Sequence, residues 1–162
     1  MSSLAPLDWT FSKGTALDLP DVMAVMADAF LPAYGEAWTV AQCSGMMAMP
    51  GTMLLVARVD QEPAGFALTR VILDEAELLL LAVRPHFARC GVGRGLLLSA
   101  MDEVRDLGVK TMNLEVRADN PAIRLYDSAG FSQVGIRCGY YRGNDGRVRD
   151  ALTYRNLLCD GS

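Results

Sequence analysis

Gly91, Gly93 and Gly95 alternate with Val92 and Arg94, just behind the polar segment Arg84–Cys90 and just ahead of a helical pattern. Glycines in such a turn let the backbone approach a ligand, and the first-turn N–H groups with the helix dipole favour an anion. Arg89 and Arg94 add positive charge, so the group chemically suited to this turn is a phosphate or pyrophosphate. The competing reading is a glycine-rich turn that merely starts a helix. Two familiar phosphate sites do not fit. A P-loop needs Gly-Lys-Ser/Thr at the helix start, and Gly95 is followed by Leu96. A dinucleotide fingerprint needs Gly-x-Gly-x-x-Gly directly after a strand. Here the third glycine comes one position early, and seven residues separate Val83 from Gly91.

Other reactive side chains are sparse. Cys43, Cys90, Cys138 and Cys159 stand far apart and form no Cys-x-x-Cys pair, so free thiols are expected rather than a disulfide framework or a zinc site. His86 is the single histidine, expected in a loop, and no Gly-x-Ser-x-Gly surrounds any serine. A hydrolase triad and a histidine-based metal site are therefore not expected. Glu115 lies on the polar side of an alternating segment and from that pattern alone reads as a solvated carboxylate on an edge-like strand. Tyr126 lies on an apolar helical stripe and reads as a core ring whose hydroxyl needs a partner. Arg142, Arg147 and Arg149 read as a solvated hairpin or as a substrate clamp.

These residues must be held by elements that the hydropathy pattern sets out. Thr10–Gly14 is expected as a first strand. Asp18 is expected to cap a helix reaching Phe30 with Val22, Met26, Ala29 and Phe30 as its stripe. A second helix is expected over Val40–Met49, its Met46, Met47 and Met49 serving as adaptable packing. Strands follow at Thr52–Val59, Ala64–Leu73 and Glu77–Val83, with a turn at Asp60–Pro63. The six consecutive apolar residues Leu78–Val83 suit a central strand covered on both faces. The helix behind the glycines carries Leu97, Ala100, Met101 and Val104 on one side and stops at Gly108. Thr111–Val116 alternates, with Met112, Leu114 and Val116 on one face. A short helix over Pro121–Ala129 and a terminal hairpin, Gln133–Gly139 with Asp150–Asn156, complete the chain.

The chain has 162 residues, 51% of them hydrophobic and 21% charged, which fits one globular domain over residues 1–162 and not a disordered or repetitive chain. A net charge of −4 argues against direct nucleic-acid binding and suits a basic macromolecular partner. Leu78–Val83 is too short to span a membrane, and Met1–Pro6 lacks the charged start and apolar core of a signal peptide. A cytoplasmic protein without membrane contact is expected.

The stretch from Leu81 to Leu97 resembles the acetyl-CoA motif of the GNAT superfamily of N-acetyltransferases. Leu114-Glu-Val-Arg-Ala-Asp-Asn120 and Leu125-Tyr-Asp-Ser-Ala-Gly-Phe131 resemble its next two blocks, in the same order. Tyr140-Tyr141, Asp145-Gly146-Arg147 and Asp150-Ala151 are similar to the tail of the branch that acetylates the N-terminal alanine of bacterial ribosomal proteins. Ala88 stands where that family usually carries Gln or Arg, and the segment from Glu115 to Tyr126 is one residue shorter than in close relatives. The resemblance implies an α+β fold, a mixed sheet splayed near its centre with helices on both faces. It implies acetyl-CoA as donor, its pantetheine along Leu81, Ala82 and Val83 and its pyrophosphate on the turn Arg89, Cys90, Gly91, Val92, Gly93 and Arg94. Asn120 keeps the family's cofactor-contacting asparagine. By the same resemblance Glu115 is the base and Tyr126 the acid, no metal is required, and acetyl goes by direct attack to a protein N-terminal α-amine, an alanine of a basic ribosomal protein. The alternatives are a relative that acetylates a small amine and an acyl-CoA-binding module without turnover.

Overall fold

The computed structural model describes residues 8–31 and 34–158; Cys159 and residues 1–7 lie outside this range. Seven strands form one sheet, β1 (Trp9–Lys13), β2 (Thr52–Val59), β3 (Glu62–Ile72), β4 (Glu75–Val83), β5 (Thr111–Arg117), β6 (Ser132–Arg142) and β7 (Val148–Leu157), in the order β1-β2-β3-β4-β5-β7-β6. All neighbours run antiparallel except β4 and β5, which are parallel and joined by a crossover through α3 (Val92–Asp106). Helices α1 (Leu19–Ala29) and α2 (Val40–Met47) cover one face; α3 and α4 (Ile123–Ser128) cover the other. The sheet is mixed and helices lie on both faces, as expected.

β2 carries an unbroken buried run because both of its faces are covered. Leu55 and Ala57 join the core under α3, while Leu54 and Val56 join the core under α1. The hairpin between β2 and β3 is tighter than expected. Asp60 and Gln61 both adopt positive φ, the requirement of a two-residue turn that matches strand twist, so Pro63 falls within β3. Helix α1 also starts differently. Thr15 caps the turn before it, accepting the Leu17 N–H at 3.2 Å, and the Asp18 carboxylate accepts the Thr15 N–H at 2.8 Å rather than capping α1. Asp18 is further engaged by Arg58 at 2.8 Å, and these bonds hold its carboxyl below the usual range.

Two departures shape the site. β5 sits between β4 and β7, so Glu115 is on a central strand and not an edge one. β4 is not a regular strand. Its pairing with β3 jumps from Leu68↔Leu80 to Thr69↔Leu78, leaving Leu79 as the extra residue of a bulge. The bulge exchanges the faces. Ala76 and Leu78 pack under α3, whereas Leu80 and Ala82 pack under α1. The parallel ladder of β4 and β5 ends at Leu78↔Leu114, although both strands continue. Beyond that pair the sheet opens.

Candidate active site

The opening between β4 and β5 leaves backbone groups of Leu79–Val83 without a neighbouring strand on the β5 side. A larger cleft, about 430 Å³, lies in this opening between the end of α1 and the α3 and α4 side, walled by Phe30, Leu81, Val83, Gly93, Asn120 and Tyr126 among others. A second cleft, about 190 Å³, lies on the α1 and α2 side and receives Glu77, Glu115, Tyr140 and Tyr141. The two share Phe30, Glu36, Leu81, Asn120 and Tyr126. They meet through the splayed sheet.

At the α3 end of the larger cleft, the first helical bond is Gly95 N–H to Gly91 C=O at 2.9 Å. The N–H groups of Val92, Gly93 and Arg94 precede it and have no carbonyl within the helix. The three glycines stand in different surroundings. Gly91 holds φ +84°, which favours glycine. Gly93 walls the cleft opposite Val83 and Leu125, where a Cβ would make ordinary contacts of 3.5 and 3.6 Å. Gly95 serves packing, since a Cβ there would meet the Trp9 ring at 1.9 Å. Val92 is a core residue, so only its N–H can meet a ligand. Arg89 holds φ +63° and is exposed; Arg94 donates to the Ser128 hydroxyl at 3.2 Å; the Cys90 thiol lies 3.6 Å from the Ala88 carbonyl. Arg89, Cys90, Gly91, Val92 and Arg94 form the turn and stand outside the cleft walls proper. An extended chain bearing amides, ending in a pyrophosphate, fits an open strand edge followed by unpaired helix N–H groups.

At the junction, Asn120 Oδ1 accepts the Ala122 N–H at 2.9 Å and fixes the entry to α4. Its neighbour Asp119 turns outward to Arg117 and Arg149, so of the two it is Asn120 that borders the clefts. Tyr126 is only 7% exposed, its ring edge-on to Phe131 at 5.9 Å, and among the described residues its hydroxyl has no hydrogen-bond partner. Burial, then the neighbouring Tyr141 and Glu36, push the Tyr126 pKa up. Tyr141 is pushed up to about 12 by burial and by the charges of Glu36 and Glu115. Glu115 is partly exposed and its carboxylate pairs with Arg137 at 3.0 Å.

Several residues with no assigned role in the sequence reading prove central. Arg117, 5% exposed, ion-pairs with Glu36 and Asp119 and lies 3.7 Å over the Tyr34 ring, with Arg149 also over that ring at 4.7 Å. This cluster ties the segment between α1 and α2 onto β5 and sets Glu36 between the clefts. Burial raises the Glu36 pKa, with Arg117 opposing. Burial and the charge of Glu115 likewise raise Glu77. Nothing periodic marks residues 34–39, so Glu36 had no sequence signal; Arg117 was visible only as the charge ending a quoted motif. His86 is exposed beside Phe87, and among the described residues no group of His, Cys, Asp and Glu is placed to hold a metal. No described helix is long and apolar enough to cross a membrane.

A profile of the acetyltransferase (GNAT) family matches residues 19–131. A [ribosomal protein bS18]-alanine N-acetyltransferase of Escherichia coli (strain K12) is 52% identical over 90 residues, 55% of this chain and 60% of that protein. One from Haemophilus influenzae is 40% identical over 88 residues, 54% of this chain and 60% of that protein. These aligned segments thus span about three fifths of the curated relatives. The crystal structure of the ribosomal-protein-S18-alanine N-acetyltransferase from Escherichia coli superposes with a TM-score of 0.86 at 35% identity, covering 96% of this chain and 97% of that one.

Proposed function

Because the chain belongs to the acetyltransferase (GNAT) family, we propose that it moves the acetyl group of acetyl-CoA to an N-terminal α-amine, the alanine of a ribosomal protein, in the cytoplasm. One observation carries this reading. The splay between β4 and β5 joins a cleft suited to an extended amide chain with a cleft lined by carboxylates and tyrosines, and Tyr126 borders both.

In this reading the exposed amides and carbonyls of Leu81, Ala82 and Val83 pair with the pantetheine arm as another strand would. The N–H groups at the start of α3, with Arg89 and Arg94 nearby, hold the pyrophosphate, and Asn120 lines the arm's path. Acetyl-CoA supplies the activated thioester. Glu115 takes a proton from the incoming ammonium, whose nitrogen then forms the C–N bond as the C–S bond breaks. Tyr126 hands its hydroxyl proton to the departing sulfur. Its hydroxyl, on a buried ring where the clefts meet and without a hydrogen-bond partner among the described residues, suits that task, because a raised pKa keeps it protonated until the thiolate forms. The net charge of −4 favours encounter with a basic protein, and Tyr140 and Tyr141 offer rings beside an extended chain.

An α-amine is the easier acceptor to deprotonate. Neutralising lysine at pH 7 costs about 3.3 kcal/mol more, from reference pKa values of roughly 10.4 and 8. The test is release of free CoA with an alanine-starting ribosomal peptide, free lysine and a polyamine, with mass spectrometry to locate the acetyl group. We expect kcat/KM at least tenfold higher for the peptide and acetylation on its α-nitrogen. Preference for a small amine over every N-terminal peptide, or acetyl-CoA binding without turnover, overturns the proposal.

A further inference from the structure

Asn156 is a buried polar side chain without a task in the chemistry above. It is 6% exposed and lies on β7 opposite Met112, between Tyr154 and Leu158 of the α3-side core. Strand alternation therefore puts it at a position made for an apolar residue. A buried amide there is costly unless its polar atoms are bonded. Its Nδ2 donates to the Ala129 carbonyl at 2.9 Å, where α4 ends.

Helix α4 carries Tyr126 and has only six residues, too few to hold itself in place. Its seat comes from bonds at its two ends. At the start, Asn120 Oδ1 accepts the Ala122 N–H. At the far end Gly130, at φ +93°, reverses the chain. The Gly130 N–H then reaches the Asp127 carbonyl at 3.2 Å, and the Phe131 N–H reaches the Tyr126 carbonyl at 3.0 Å. That pattern closes the helix and seats the Phe131 ring against Tyr126. These bonds lie within the turn; the one from Asn156 reaches it from the sheet, 27 residues along the chain. A Cβ on Gly130 would come within 3.3 Å of the same Nδ2, so the turn packs closely on this amide. The bond from Arg94 to the Ser128 hydroxyl is exposed, and water competes with it.

Ala129 lies one turn beyond Tyr126, on the same side of α4. The Tyr126 hydroxyl has no hydrogen-bond partner among the described residues, so its place where the clefts meet follows from the seat of its ring and helix. A misplacement of about 1 Å at a reacting group costs on the order of 100-fold in rate. We propose that Asn156 is a positioning residue for acetyl transfer: by anchoring Ala129 it holds the Tyr126 hydroxyl at the junction of the clefts. The inference rests on Tyr126 as the proton donor and adds what aims it.

The experiment uses the full chain, acetyl-CoA and an alanine-starting ribosomal peptide. Asn156→Leu keeps the side-chain size and removes the donor. We expect kcat to fall at least tenfold, with KM for acetyl-CoA and for the peptide each within about twofold of wild type. In a Tyr126→Phe background the same substitution should change kcat less than twofold, because a residue that acts through the hydroxyl has nothing left to aim. Asn156→Ser, smaller and too short to reach the Ala129 carbonyl, should show the same pattern and serves if the leucine variant folds poorly. The rise in Tm with acetyl-CoA, measured in each variant, reports that fold and donor site are intact. An unchanged kcat, a loss confined to KM, or a loss as large in the Tyr126→Phe background as in wild type overturns the role of Asn156 and leaves N-terminal acetylation standing. Full activity in Tyr126→Phe, or a wild-type enzyme that acetylates no amine, overturns both this role and the reading beneath it.

Discussion

Two tyrosines compete for the role of proton donor, and their surroundings separate them. Tyr126 is the more deeply buried and borders both clefts, while Tyr141 borders only the acceptor cleft. Tyr126→Phe is expected to lower kcat by roughly 10²–10⁴, the usual worth of a positioned acid, and Tyr141→Phe to act mainly on KM. The acid must be protonated to act, and a raised pKa extends the protonated range upward. The wild-type rate should therefore show no loss from ionisation of Tyr126 through about pH 10, where an ordinary tyrosine titrates. A descending limb near pH 9 that disappears in Tyr126→Phe would contradict this. The base has a smaller burden, because an α-amine of pKa near 8 is already about one-tenth neutral at pH 7. Glu115→Gln should slow the reaction modestly, with a defect that shrinks above about pH 8. A defect constant across pH would make Glu115 a residue that orients the amine.

Between the elements, the decisive tie is the Arg117 cluster. Arg117 projects from β5 into a nearly dry environment, with Glu36 from the segment between α1 and α2, and Tyr34 stacked beneath it. Removing one partner of a buried ion pair leaves the other charge uncompensated, at a cost of about 3–5 kcal/mol. Arg117→Gln should thus lower Tm by about 10 °C for a chain of this size, and Arg117→Lys by less, because it keeps the charge but not the planar fork. The same substitution frees Glu36 at the junction of the clefts, so KM should rise for donor and acceptor alike. An unchanged Tm in Arg117→Gln, read by calorimetry, would remove the cluster from the stabilising framework.

For the whole molecule, the donor cleft is bounded by β4, α1, α3 and α4, so occupancy joins the two cores through one ligand. A ligand that binds only the native state at about 100 times its Kd adds about 2.7 kcal/mol. Acetyl-CoA at that excess should raise Tm by about 5–10 °C. Gly91→Val should lose most of the shift, because a β-branched residue at φ +84° is strained and displaces the α3 amides. No shift at millimolar acetyl-CoA would argue against the donor site. Overall charge acts on encounter and not on this equilibrium, so added salt should raise KM for a basic peptide more than it weakens acetyl-CoA-independent stability.

The sequence by itself determined the elements and the glycine turn proposed here for the donor. Helical stripes, the alternation in β5 and the glycines that open and close α3 act through neighbours a few residues apart, so local pattern suffices to reveal them. The resemblance supplied Glu115, Tyr126 and the pyrophosphate turn as candidates in one reading, and the structure brings Tyr126, Glu115, Asn120 and Leu81 around joined clefts. What the sequence left open depends on partners far along the chain. The bulge at Leu79 was hidden because Leu78–Leu81 are four identical residues, which carry no phase to reveal a change of face. The reason for Gly95 is Trp9, a long-range ion-pair partner of Arg117 is Glu36, and Glu77 and Glu115 share one face because of the register in which β4 and β5 meet. Pairings across 81 residues, as for Arg117 and Glu36, follow from three-dimensional packing of segments whose own periodicity is silent about one another. Tertiary structure alone decided where the sheet opens, and with it which charges line the smaller cleft.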